Sequence, residues 1–304
     1  MRRIFIIAGP TGSGKTQAGF HLASSIKGEI INADSRQFYK EITKGTAKPS
    51  KTLLDSIPHH FIDFISIKEQ FTVFDFKKEA EKIILDIQQK ENIPIIVGGS
   101  GLYIRILLNG IFLMPQEMKD KQKIVREQLK EKTTEQLYKE LLNINPEIKI
   151  HSNDRIRIIR ALEVWTLTGE PITSLWNKTE KSSIISESKI YYFILNPERE
   201  NLYSRINERV DKMLDSGWIE EVKKLCHEGF TEDLRIKAPI GYPQIIDYLE
   251  GKCFIQDLPE IIKKKTRNYA RKQLTWFRKE KGIWLNVDNG DYNKIVSDII
   301  SISY

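Results

Sequence analysis

The sharpest chemical signal in the chain is the stretch Gly9-Pro10-Thr11-Gly12-Ser13-Gly14-Lys15-Thr16, whose spacing is G-x-x-x-x-G-K-[ST]. It follows a short apolar run, Ile4–Ala8, and precedes a helical pattern, Gln17–Ile26, which is the setting in which such a loop holds phosphate. Its glycines let backbone N–H groups converge on phosphate oxygens, and the helix N-terminus adds partial positive charge. Lys15 is placed to reach the outer phosphate, and the Thr16 hydroxyl to ligate Mg²⁺. The loop therefore implies a phosphate or pyrophosphate site without specifying ATP.

An ordinary nucleotide-hydrolysing enzyme with this loop has a second apolar strand ending in an Asp that helps hold Mg²⁺. Here the run Ile93–Val97 ends instead in Gly98-Gly99-Ser100-Gly101. The acid comes early, at Asp34, just past the strand pattern Glu29–Asn32. That is near the C-terminal ends of the strands, where open α/β sheets bind ligands. Asp34 is placed either as a general base beside the phosphate loop or as a capping residue of the Asn32–Ser35 turn; spacing does not choose between them.

Other constellations are cationic. In the helical pattern Leu202–Ser216, with Leu202, Ile206, Val210 and Met213 inward, Arg205 and Arg209 stand one turn apart. They could clamp a pyrophosphate, although surface pairing with Glu208 or Asp211 is the simpler expectation from spacing. Ser152-Asn153-Asp154 is a cluster of helix-capping residues before Arg155–Leu167, and Arg157 and Arg160 share a face of that helix, suited to phosphate contact or to water. Glu260–Lys281 holds nine Lys or Arg and two Glu. Lys264, Arg267, Arg271 and Arg278 fall on one helical stripe, with Tyr269, Trp276 and Phe277 interleaved, the best nucleic-acid signature in the chain. His59 and His60 are adjacent in an extended stretch and point to opposite faces, which argues against a shared metal. Cys226 and Cys253 form no C-x-x-C pair, so neither a disulfide framework nor a zinc module is expected, and a reducing cytosol fits.

These groups need a scaffold, and the first third supplies one by alternating strand and helix patterns, the mark of a parallel α/β sheet. Phe61–Phe64 reads as a third strand, Thr72–Lys90 as an amphipathic helix with Phe76, Ala80, Ile83 and Ile87 inward, and Lys189–Leu195 and Gly282–Val287 as late strands. Between about 116 and 180 the pattern is helical and strongly charged. The expectation is an α/β fold: a phosphate-loop parallel-sheet core (1–114 and 186–304) interrupted by an all-helical insertion (115–185). The 304 residues carry 40% hydrophobic and 29% charged side chains, too apolar for a disordered chain. No apolar run reaches the roughly 18 residues that cross a bilayer, and the N-terminal stretch lacks the cleavage site of a signal peptide. The net charge of +7 leans towards a polyanionic partner.

Taken together, GPTGSGKT (9–16), NADSRQFY (32–39), GTAKP (45–49), PHHFID (58–63), PIIVGGSGLY (94–103), HSNDRIRIIRALEV (151–164), IGYPQ (240–244) and TRNYARKQLTWFR (266–278) resemble the bacterial tRNA dimethylallyltransferases, also called tRNA isopentenyltransferases, nearly end to end. The resemblance implies transfer of a dimethylallyl group from dimethylallyl diphosphate to N6 of the adenine just 3′ of the anticodon, with Mg²⁺, in a cytoplasmic enzyme that binds the anticodon stem-loop; nothing in the sequence suggests an obligate dimer. It implies that residues 9–16 cradle the donor's diphosphate, that Asp34 receives the N6 proton, and that Arg209, before Arg205, clamps the diphosphate. Asp34, Ser35, Arg36 and Gln37, with Ile156, Arg157, Ile158, Ile159 and Arg160, match segments that touch tRNA, and the stripe residues Arg267 and Arg271 join them. Ser100 stands where the family usually has Thr, keeping the hydroxyl at the site. Arg36 replaces a usually apolar residue, Ser152 a proline, and Gln122 an arginine that contacts tRNA, with Lys121 and Lys123 beside it. The other readings open to the sequence are a prenyltransferase acting on free adenine nucleotides, a small-molecule kinase and a non-catalytic tRNA-binding protein.

Overall fold

The computed structural model describes residues 2–112, 114, 116–177 and 182–303. In chain order the first elements are β1 (Arg2–Ala8), α1 (Lys15–Ile26), β2 (Gly28–Asn32), α2 (Lys51–Ser56), β3 (His59–His60), α3 (Val73–Gln89), β4 (Ile93–Gly98) and α4 (Gly101–Asn109). Four helices follow: α5 (Lys119–Lys130), α6 (Thr134–Ile144), α7 (Arg155–Thr168) and α8 (Ile172–Asn177). The chain then runs through α9 (Ser183–Ser186), β5 (Ser188–Leu195), α10 (Arg199–Asp215), α11 (Trp218–His227), α12 (Thr231–Lys237), α13 (Tyr242–Leu249), α14 (Leu258–Phe277), β6 (Ile283–Leu285) and α15 (Tyr292–Ser303).

The strands form one parallel sheet in the order β3-β2-β4-β1-β5-β6. Ile4 to Ala8 are wholly buried because both faces of the sheet are covered, which is why β1 is a continuous apolar run. Alternate residues serve opposite faces. Ile4, Ile6, Ile31 and Ile96 join the core on one side, and Phe5, Ile7, Ile30 and Ile95 the core on the other. Helix α3 starts at a capping box, Thr72 accepting from the Asp75 N–H while the Asp75 carboxylate accepts from the Thr72 N–H, and buries Phe76, Ala80, Ile84 and Ile87.

Phe61–Phe64 is not a strand. The third strand is two residues earlier, His59 and His60 pairing with Ile30 and Ile31. Phe61 and Asp63 adopt φ of 64° and 51°, turning the chain so that Phe61 and Phe64 pack on Phe38 and Phe71. The turn buries Phe61 and packs the half-buried Phe64 against the same cluster.

The chain divides into two compact units, one made of residues 1–108 and 183–304 and the other of residues 109–182. The first contains the sheet. The second is helical and has its own core of Leu129, Leu137, Leu141, Ile158, Leu162 and Val164. Among the described residues no helix is long and apolar enough to cross a membrane.

Candidate active site

The C-terminal ends of β1, β2 and β4 open onto a cavity of about 250 Å³. Thr11, Lys15 and Thr16 line it from the phosphate loop, Asn32 from the end of β2, Asp34, Arg36 and Gln37 from beyond it, Val97 and Gly98 from β4, and Arg209 from α10. Trp218, Tyr269 and Gln273 close other parts of its wall. This is the crevice where open α/β sheets hold ligands.

The loop is built for close backbone approach. Gly14, at the N-cap of α1, has φ of 86°, a left-handed value that glycine takes without strain, and a Cβ there would lie 2.5 Å from the Tyr292 hydroxyl of α15. Lys15 Nζ donates to the Pro10 carbonyl at 2.7 Å. Burial pushes the Lys15 ammonium down to about 8; the Asp34 carboxylate opposes the shift and Arg209 adds to it. Burial likewise lowers the Arg209 guanidinium, again opposed by Asp34. Lys15, Arg209 and Arg36 thus share the cavity wall with the one carboxylate of Asp34, a net positive site suited to an anion.

Asp34 is held by its turn and is still open to the cavity. Its N–H donates to Asn32 Oδ1 at 3.2 Å, and its Oδ1 accepts from the Arg36 N–H at 3.0 Å. Asn32, itself buried, is anchored by donating Nδ2 to the Phe61 carbonyl at 3.0 Å. The turn and base readings of Asp34 are therefore compatible, the turn aiming the carboxylate.

Arg205 and Arg209 of α10 separate. Arg205 donates to the backbone carbonyls of Val287 and Asp288, at 3.1 and 2.9 Å, while Arg209 lines the cavity. The expected pairing with Glu208 or Asp211 does not form: Glu208 accepts from Ser204 and Asp211 pairs with Lys263.

Several sequence-matched residues have other engagements. Ser100 Oγ accepts from the Ser35 N–H at 3.4 Å; it ties two strand ends together and is not part of the cavity wall. Gln37 donates Nε2 to the carbonyls of Thr46 and Ala47, so its amide N–H groups hold a loop and are not free for RNA. Arg36 donates to the Lys237 carbonyl. Arg267 leaves the expected stripe: it donates to Asn207 Oδ1 at 2.7 Å and Glu260 Oε1 at 2.6 Å, an intramolecular lock between α10 and α14. Arg278 caps α14 and lies beyond its last turn. Lys264 and Arg271 remain exposed.

In the helical unit, Asp154 caps α7 by accepting from the Arg157 N–H. Ile156 is 83% exposed, whereas Ile158 is completely buried and Ile159 packs against the same core; Ile158 cannot offer its side chain to RNA, because α7 turns that face inward. Arg157 pairs with Asp154 at 3.1 Å. Gln122 donates to the wholly buried Glu163, which also accepts from Arg126 at 2.8 Å and Arg160 at 2.5 Å. Gln122 is thus a partner of a buried carboxylate.

Sequence reasoning missed Gln273, whose amide bridges the phosphate loop and Gly99, just past β4. The available signal was a polar residue on the inward stripe of α14, beside Leu258, Ile262, Ala270 and Phe277.

A family model described as IPP transferase matches residues 37–280. The chain is 39% identical to tRNA dimethylallyltransferase 1 of Citrifermentans bemidjiense and 41% identical to the tRNA dimethylallyltransferase of Carboxydothermus hydrogenoformans, covering 98% of this chain and 96% of each relative. Among solved structures it is similar to a eukaryotic dimethylallyltransferase described as acting on tRNA, with a TM-score of 0.82 and 28% identity over 98% of this chain and 77% of that one. With the phosphate loop, the acid beyond β2 and Arg209 of α10 meeting in one crevice, the matches agree with the site: the chain belongs to the IPP transferase family, that of the tRNA dimethylallyltransferases.

Proposed function

We propose that the chain transfers a dimethylallyl group from dimethylallyl diphosphate to N6 of the adenine 3′-adjacent to the anticodon of tRNA, releasing diphosphate, and that it does so as a cytoplasmic monomer. The observation that carries the reading is the meeting of Lys15, Arg209 and Asp34 around one cavity: two cations for a leaving anion and one base for an incoming amine. As the bond between C1 of the donor and its diphosphate oxygen breaks, negative charge builds on the leaving group. Backbone N–H groups of residues 9–16, Lys15 and Arg209 are fixed in place beforehand, so stabilising that charge needs little reorganisation. The bond from N6 to C1 forms with the amine's lone pair, and Asp34 takes the N6 proton, which matters because that lone pair is otherwise delocalised into the ring. An unpaired loop base leaves its stack at low cost to enter such a site.

The residues fit Mg²⁺ as a shared ion. The Thr16 hydroxyl is a hard oxygen donor on the cavity wall, and among the described residues no group of three His, Cys, Asp or Glu side chains is placed to hold a metal alone. Magnesium keeps waters and takes substrate phosphate oxygens readily; when bound it would neutralise further charge on the diphosphate. On the RNA side, exposed Lys264 and Arg271 of α14 and Ile156 and Arg157 of the helical unit are the groups offered to tRNA.

The test incubates the protein with dimethylallyl diphosphate, Mg²⁺ and either unmodified tRNA or AMP, with mass spectrometry of the adenine. Prenylated tRNA and unchanged AMP are expected. Prenylated AMP alone would move the substrate to free nucleotides, and prenylation of neither would overturn the reading.

A further inference from the structure

Gln273 is a buried polar side chain on the cavity wall that the reaction above leaves without a task. It is 8% exposed. Its Oε1 accepts from the Thr11 N–H at 2.8 Å, and its Nε2 donates to the Gly99 carbonyl at 2.9 Å. Thr11 lies just past β1 and Gly99 just past β4, and those strands are neighbours, with Ala8 opposite Gly98. One amide therefore joins two adjacent strand ends where the crevice opens. A Cβ on Gly99 would come within 2.6 Å of the Gln273 Nε2, so the absence of a side chain there is what admits the amide. The same Cβ position lies 3.6 Å from Lys15 Nζ, which places the bridge beside the ammonium that meets the anion. The partners also fix the chemistry: one side needs an acceptor and the other a donor, and glutamine offers both on a single rigid group.

We propose that Gln273 is a positioning residue for the leaving diphosphate: by engaging the Thr11 N–H and the Gly99 carbonyl it holds the first turn of the phosphate loop, so that the N–H groups after Thr11 and the Lys15 ammonium meet the anion already aligned. The proposal rests on the reading of the cavity as a diphosphate site. Without the bridge the loop must be ordered by the ligand itself, and the lost preorganisation falls on diphosphate affinity.

Binding of inorganic pyrophosphate, measured by calorimetry on the full chain, tests it together with prenyl transfer to tRNA. Gln273→Met keeps length and removes both hydrogen bonds; Gln273→Glu keeps the acceptor for Thr11 but turns a second acceptor towards Gly99. The pyrophosphate Kd should rise about tenfold in the first, the size expected for an unsatisfied buried pair, and further in the second. The KM for the donor should rise in parallel, with kcat at saturating donor and tRNA affinity changing far less. For Gln273→Glu, pyrophosphate affinity relative to wild type should recover as the pH falls and the carboxyl gains a proton to donate to Gly99; a merely structural role would not produce that recovery. Unchanged pyrophosphate affinity in the folded variants, or an equal loss of tRNA affinity, would overturn the proposal. Because pyrophosphate binding needs no prenyl acceptor, failure of the transfer assay in the wild-type protein would count against the function and leave this test readable.

Discussion

Asp34 and Lys15 divide the chemistry by charge, and each makes a distinct prediction. Asp34→Ala removes the proton acceptor and should lower turnover by about 10²–10⁴-fold, the usual span for a general base, with pyrophosphate and tRNA affinities nearly preserved; single-turnover prenylation and filter binding check both halves. Lys15 gives a pH dependence. Burial holds its ammonium down to about 8 in the empty site, and a bound diphosphate favours the charged form, so binding takes up a proton wherever the pH exceeds that value. Compared with Lys15→Arg, whose guanidinium stays charged, pyrophosphate affinity should run level below pH 8 and fall by up to about tenfold per pH unit above it. Calorimetry at several pH values reads the relative slope; parallel profiles for the two proteins would place the titration elsewhere. At this scale the sequence shows residue types more readily than their engagements. The loop spacing identifies Lys15 because the motif is contiguous. The turn in which Asn32 accepts from Asp34 is local and readable, but the anchoring of Asn32 on Phe61 and the bonding of Arg205 to Val287 and Asp288 depend on contacts between distant segments, and no local pattern encodes them.

Elements are legible in proportion to how much their own residues decide them. Strand β1 is apolar on both faces because the sheet is covered on both sides, and α3 carries its own capping box, so both are readable. Strand β3 is not: two residues long, it is fixed by pairing with β2, and the apolar residues after it belong to an aromatic cluster. Helix α14 combines both cases. Its basic stripe is visible in the sequence, but Arg267 bonds to Asn207 and Glu260, and only tertiary structure separates it from Lys264 and Arg271. The separation has a measurable consequence. Each phosphate neutralised contributes roughly −0.7 to −0.9 to the slope of log affinity against log salt. Replacing Lys264 and Arg271 by Gln should therefore flatten the slope for tRNA by about one to two units, with similar losses for any tRNA, since phosphate contacts position without reading sequence. Arg267→Gln should leave the slope unchanged and lower thermal stability instead.

At the scale of the whole molecule, the division into a sheet-bearing unit and a helical unit of residues 109–182 separates two tasks, diphosphate chemistry in the first and, as proposed, part of the tRNA contact in the second. The helical unit has a buried carboxylate hub in Glu163, with Gln122, Arg126 and Arg160 as donors. Removing one partner of a buried ionic cluster typically costs about 3–5 kcal/mol, because the remaining charges lose their counterion. Arg126 and Arg160 are partly exposed, at 46% and 33%, and can rehydrate, which places Glu163→Ala near the lower end, about 3 kcal/mol. The two units have separate cores, and cooperative units open with their own free energies. The loss should therefore be local. Hydrogen exchange should accelerate in α5, α6 and α7 while amides of β1 and β4 keep their protection. Pyrophosphate affinity should stay at the wild-type value, and prenylation of tRNA should fall through a raised KM for tRNA. Equal acceleration in β1 and β4 would mean that the units unfold as one, and an unaltered KM for tRNA would remove residues 109–182 from the RNA footprint and leave it to α14 alone.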